Sequence, residues 1–171
     1  MISPKHAQLM AAYNHWQNGS IYGAASGLSD AERRKDRGAF FKSIEGTLSH
    51  LLWADRLWLS RFAGSPPPQG VIKDSPAAFD DWDIMRAERE KTDAQFIAWT
   101  GAMSEADLEG DLVWRPAGLD MTMSMPRWIL ITHIFNHQTH HRGQAHAMLT
   151  AAGAKPADTD IPFLPDVLSF F

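Results

Sequence analysis

The sequence predicts an all-α protein, a four-helix bundle with a small hairpin or irregular crossover before its last helix. Three observations predict it. Four stretches of bundle length place apolar residues at helical spacing. One proline loop and one short strand-like stretch are the only strong interruptions between them. Finally, no internal repeat divides the 171 residues, a length that suits one core. The whole chain, residues 1–171, is therefore expected to form a single domain.

The first helix starts at Ser3-Pro4, a cap followed by proline at the first helical position. Ala7, Met10, Ala11, Tyr13 and Trp16 keep helical spacing, and Asn18-Gly19 reads as the stop. Residues 23–27 read as a connection, and Leu28-Ser29-Asp30 as the cap of a short helix. A second long helix is expected from about Ala39 to Phe62, with Phe40, Ile44, Leu48, Leu51, Leu52, Leu57 and Trp58 on a broad apolar face. His50 stands in its middle. A lone helical histidine is ordinarily a satisfied core or boundary residue, although Asp55 is close enough in sequence to orient its ring.

Residues 64–70, GSPPPQG, break the helix. A third helix is expected from Ser75-Pro76 to about Met103, with Phe79, Trp82, Met85, Phe96 and Trp99 as its apolar positions. Its charged run, including Arg86, Glu88, Arg89, Glu90 and Lys91, reads as surface ion pairs. Residues 111–125 alternate like a small hairpin around a turn containing Gly118. Pro126 then opens the fourth helix, which ends near Gly153. The tail holds Pro156, Pro162 and Pro165, with a helical turn near Asp166.

Charge and composition exclude several functions. The net charge is −4, and the basic cluster Arg33, Arg34, Lys35 and Arg37 is interleaved with Asp30, Glu32 and Asp36. That cluster reads as a solvated face, so no nucleic-acid partner is expected. The chain has no cysteine. Disulfides, thiolate metal ligation and a cysteine nucleophile are thereby excluded, and any thiol in the chemistry must arrive with a substrate. There is no signal-peptide pattern and no long apolar run. A soluble, cytoplasmic protein with no membrane partner is expected.

The chemistry is concentrated in the last helix. Residues 131–148, ITHIFNHQTHHRGQAHAM, hold five of the eight histidines. An α-helix turns about 100° per residue, so positions four apart share a face about 6 Å apart along the axis. His137 with His141, or His133 with His137, can close on one metal ion. His133 and His141 lie about 12 Å apart along the axis, too far for one ion to take all three. A third ligand must come from another element; His50 on the second helix is a candidate, although neither period nor spacing brings it to the pair. Chance also puts histidines four apart in a histidine-rich stretch. Here, however, Leu130, Ile131, Ile134 and Phe135 turn the helix toward a core, where imidazoles need partners. Asn136, Gln138 and Gln144 add polar groups unusual for a plain structural helix.

Residues 40–62, FFKSIEGTLSHLLWADRLWLSRF, together with HIFNHQTHHRGQAHAML, resemble the DinB family. The tail from Lys155-Pro156 to Asp160 also fits that family, and the likeness covers most of the chain. The specific signature is a histidine midway along helix two, then His-x-x-x-His-Arg-Gly-Gln in helix four. Here these are His50, then His137, His141, Arg142, Gly143 and Gln144. The resemblance implies an up-down-down-up four-helix bundle, a divalent ion held by His50, His137 and His141, and a homodimer. Nickel or zinc is the metal it implies most often. It also implies kinship with enzymes that use low-molecular-weight thiols, such as thiol S-transferases and mycothiol-dependent maleylpyruvate isomerase.

Three functions follow from such a site. The leading one is a metal-dependent transferase in which a small-molecule thiol is activated at the three histidines. The second is metal-assisted hydrolysis of a small molecule, with Glu45, Asp55 or Asp120 as base. The third is a non-enzymatic, metal-binding stress-response protein with a structural ion. Three imidazoles accept zinc, nickel, iron or copper. His133 and His140 are expected to lie off the ligand set. Arg142 and Gln144 are expected to hold the bundle together or to meet substrate.

Overall fold

Ser3 accepts a hydrogen bond from the His6 N–H, and with Pro4 behind it starts a helix that runs much further than its glycines suggest. In a computed structural model, which describes residues 2–116 and 120–170, this helix α1 spans Pro4–Ser26. Gly19 does not stop it. Gly19 and Gly23 lie on the exposed side, while Ile21, Tyr22 and Ala25 on the other side enter the core. Their burial outweighs the roughly 1 kcal/mol that each helical glycine costs. A short α2 (Asp30–Arg34) follows.

Helix α3 spans Ile44–Phe62, starting later than Ala39. Gly38 and Lys42 both take positive φ, which turns the chain before Ser43 caps the helix by accepting from the Gly46 N–H. Phe40 therefore lies outside the helix, 82% exposed. Residues Ile72–Ala77 form a 3-10 turn, and α4 runs only from Trp82 to Gly101, capped by Asp81, so Phe79 precedes it. The expected hairpin is present: β1 (Asp111–Trp114) pairs antiparallel with β2 (Met123–Pro126), Leu112 opposite Met125. Gly118, placed in its turn, lies outside the described residues. Helix α5 spans Arg127–Ala151, and the tail ends in a 3-10 turn at Val167–Phe170.

The four long helices pack in the order the contacts dictate. On α1 and α4, Gln8 reaches Thr100 while Asn18 reaches Asp93, so these two run antiparallel. Asp55 with Arg89 and Phe62 with Trp99 make α3 and α4 parallel. Asn14 with Gln138, and Ile21 with Ala145, make α1 and α5 parallel. Trp58 with His133 and His50 with His141 make α3 and α5 antiparallel. The bundle is therefore up-down-down-up. Among the described residues, no helix is long and apolar enough to cross a membrane.

Among the described residues the core falls into three apolar clusters, one at one end of the bundle and two side by side at the other. At one end Ile21, Ile44, Leu48, Leu52, Met85 and Leu149 pack together. At the other, Ala11, Leu59, Phe96 and Ile134 form one group beside Ala7, Ile131 and Phe135. Between them in every helix lies a buried polar layer: Asn14 and Asn18, Asp55, Arg89 and Asp93, and Gln138. Arg89 is thus not the surface residue that its charged neighbours suggest, but only 3% exposed between two carboxylates. Met85, Arg89, Thr92 and Phe96 lie on one face, and the bundle closes over all four.

Candidate metal centre

The antiparallel crossing of α3 and α5 brings His50, His137 and His141 together, each with one ring nitrogen within 4.8 Å of the other two. The ring centres are 4.4 Å apart for His137 and His141, 4.8 Å for His50 and His141, and 5.2 Å for His50 and His137. His50 and His141 are buried and His137 is half-buried.

Hydrogen bonds determine which nitrogen each ring can offer. The Ser75 hydroxyl donates its one proton to the Ile72 carbonyl at 2.6 Å, so at 2.8 Å it can only accept from His50 Nδ1. His141 Nδ1 likewise donates to the Gln144 Oε1 carbonyl at 2.8 Å. With protons held at Nδ1, both neutral rings present a bare Nε2 lone pair. His50 Nε2 stands 3.2 Å from His137 Nε2. Two nitrogens on one tetrahedral ion at about 2.1 Å would stand about 3.4 Å apart, so the spacing fits a shared cation. A metal-binding histidine needs its far nitrogen held in this way, which fixes the ring and its tautomer.

Local sequence explains the rest of the enclosure. Ser75 is fully buried and held by Ser49, which donates to its carbonyl at 2.7 Å. Phe41 stacks on the His50 ring at 3.8 Å. That approach requires glycine at Gly46, where an added Cβ would lie 2.6 Å from the Phe41 carbonyl oxygen. Neither Ser75 nor Phe41 stood out as a site residue in the sequence: Ser75 marked only a helix start, and Phe41 lay unremarked within residues 40–62.

Burial shifts all three rings toward neutrality. It pushes His50 down to about 4 and His137 to about 3, with the neighbouring His141 adding to both, and it lowers His141 against the Gln144 hydrogen bond. These values lie below the 6.5 of a free ring, so the unfolded chain takes up protons first as the pH falls. The stability that these rings contribute to the metal-free protein is fully present above about pH 6.5 and is lost progressively below it. His15, raised by its bond to Asp93, acts in the opposite sense, but it is one ring against four, since burial lowers His133 as well. Thermal unfolding of chelated protein is therefore expected to show Tm falling between pH 7 and about pH 5, where most carboxylates remain ionised. A Tm that holds or rises over that interval would contradict this burial.

The other residues singled out by the sequence are placed differently. Asp55 does not orient His50; it accepts from Arg89 at 2.7 Å and from Gln138 at 3.0 Å. Glu45 is buried against Arg34 and Arg33, and Asp120 is exposed. Arg33 is no solvated residue either: it is 5% exposed, paired with Asp30, and stacked over Trp82. His140 and His133 flank the trio, with ring centres 4.9 Å from His141 and 5.6 Å from His137. Gln144 serves His141, whereas Arg142 turns away toward Tyr13.

The sequence model described as "DinB family" matches residues 2–167. Among curated proteins, the chain is similar to Protein DinB of Bacillus subtilis (strain 168). The two are 25% identical over 158 residues, which cover 86% of this chain and 87% of that protein.

Proposed function

The chain belongs to the DinB family, and on that premise we propose that it holds one divalent metal ion on His50, His137 and His141 and works as a transferase activating a small external thiol. The observation that carries this reading is the convergence of three imidazoles, two of them with Nε2 left bare by hydrogen bonds at Nδ1. Three neutral protein ligands are the pattern of an open site rather than a closed one. A divalent ion so bound supplies Lewis acidity that brings a coordinated thiol or water toward ionisation near neutral pH.

The protein's residues supply orientation and access. Ser75 and Gln144 hold two rings by their far nitrogens, and Phe41 keeps water from the face of His50. The half-buried side at His137 is where a substrate enters, with His133 and His140 close enough to relay a proton. The thiol comes from outside, because the chain has no cysteine. Hydrolysis is the weaker reading, since Asp55 and Glu45 are committed to buried ion pairs. Zinc or nickel suits the donor set best, and iron or copper would also be accepted.

The test starts from protein purified without a metal-affinity tag. Metal content is measured, and conversion of 1-chloro-2,4-dinitrobenzene is followed with glutathione, cysteine or coenzyme A, before and after chelation. Conversion is expected to require both metal and thiol. Metal-dependent turnover without thiol would instead assign a hydrolase. Loss of stability on chelation with no turnover would assign a structural ion.

A further inference from the structure

Arg142 is 4% exposed and, among the described residues, has no carboxylate partner. Its Nη1 has no hydrogen-bond acceptor, and its Nη2 reaches only the Thr139 hydroxyl, at 3.4 Å. The other two buried arginines, Arg33 and Arg89, are each paired with acids. A buried, unpaired guanidinium is unfavourable in an isolated fold. Arg142 lines a cavity of about 300 Å³ between α1, α5 and the C-terminal segment. One residue step of about 100° turns it from the α3 side, where His141 points, toward α1 and the Tyr13 ring at 5.4 Å.

The cavity is built and open. Tyr13 and Gln17 on α1 donate to the carbonyls of Thr159 and Asp158 at 2.7 and 2.8 Å, which fixes the tail as one wall. Gly143 lines the same cavity, and an added Cβ there would meet nothing within 4 Å. Packing does not demand this mid-helix glycine, although it costs about 1 kcal/mol of helix stability, and its absent side chain leaves the cavity clear. A second hollow of about 580 Å³ shares Tyr13, Thr139 and Thr159 with the first and continues it along Met10, Ile161 and Phe163.

We propose that this groove binds an amphipathic monocarboxylate, with its carboxylate on the Arg142 guanidinium and its apolar chain along Met10, Ile161 and Phe163. One forked cation matches one carboxylate in a bidentate pair. A doubly charged phosphate would remain half-neutralised beside Asp160, which also lines the groove. The apolar extension takes a hydrocarbon body.

Sodium octanoate is the probe, with 1-octanol and octylammonium as controls, titrated into the full chain as purified and read by calorimetry and thermal shift. Octanoate is expected to bind, and the controls to bind on the order of tenfold to a hundredfold more weakly, the share of a charge-assisted hydrogen bond. Arg142→Met is expected to lose octanoate binding by the same factor and to keep its metal content. If that variant does not fold, Gly143→Leu fills the groove while sparing the guanidinium, and is expected to abolish binding. The proposal is overturned if octanoate fails to bind, if octanol matches it, or if binding survives both substitutions. It is also overturned if binding disappears in His141→Ala, which would put the carboxylate at the histidines.

Discussion

Arg89→Met is expected to cost about 3–5 kcal/mol of folding stability, measured by urea unfolding. Arg89 Nη1 donates to Asp55 Oδ2 at 2.7 Å, and its Nη2 lies 2.7 Å from Asp93 Oδ1. Asp93 and Asp55 are 3% and 1% exposed, so removing the guanidinium leaves Asp55 buried without a paired cation and Asp93 with only the His15 ring, 3.8 Å away. Burial opposes the charge of Arg89, but Asp93 and Asp55 together raise its pKa above the ordinary arginine value, so it stays charged at any working pH. The same carboxylates accept from Asn18 and Gln138, and Gln138 accepts from Asn14. One connected network therefore joins all four long helices across the middle of the core. A domain of this size has about 5–15 kcal/mol in total, so the variant should sit near the edge of folding. Arg89→Lys keeps the charge but not the fork that spans both acids, and should fall between the two. A loss below about 1 kcal/mol for Arg89→Met would mean that water reaches this layer.

The same network shows how far the sequence was legible. The helices could be read because Leu48, Leu52, Ile131 and Ile134 recur at helical spacing, and burial follows that period. Arg89 was misread because a run of alternating charges resembles a solvated face. Its register with Met85 and Phe96 was the available signal, since it puts Arg89 and Thr92 on the buried side. The glycines of α1 were misread for a related reason: local propensity marks Asn18-Gly19 as a stop, and only tertiary burial of Ile21, Tyr22 and Ala25 overrides it. At the histidines, the spacing of His137 and His141 gave two of the three members of the cluster, and the family pattern supplied His50. Ser75 left no trace, because its role depends on a loop folding back 25 residues after His50, which no local pattern encodes.

His50→Ala and His141→Ala are each expected to lose metal from the protein as purified, by elemental analysis, whereas His133→Ala and His140→Ala keep it. Partners that only orient a ligand are worth 10–100-fold in metal affinity, so removing a ligand itself should weaken binding by about a hundredfold or more. The two variants lie on different helices, α3 and α5, and parallel loss from both distinguishes a site spanning the bundle from one confined to the histidine-rich helix. The controls matter because His133 and His137 have the same i, i+4 spacing as His137 and His141. Only the latter pair belongs to the cluster with His50. Stability gives an independent readout. An ion that binds the folded state alone stabilises it by about 2.7 kcal/mol at a hundred times its Kd, so metal should raise Tm in wild type and in the controls but not in the two ligand variants. Metal retained in both ligand variants would make these three rings structural and would remove the ground for a metal-dependent transferase.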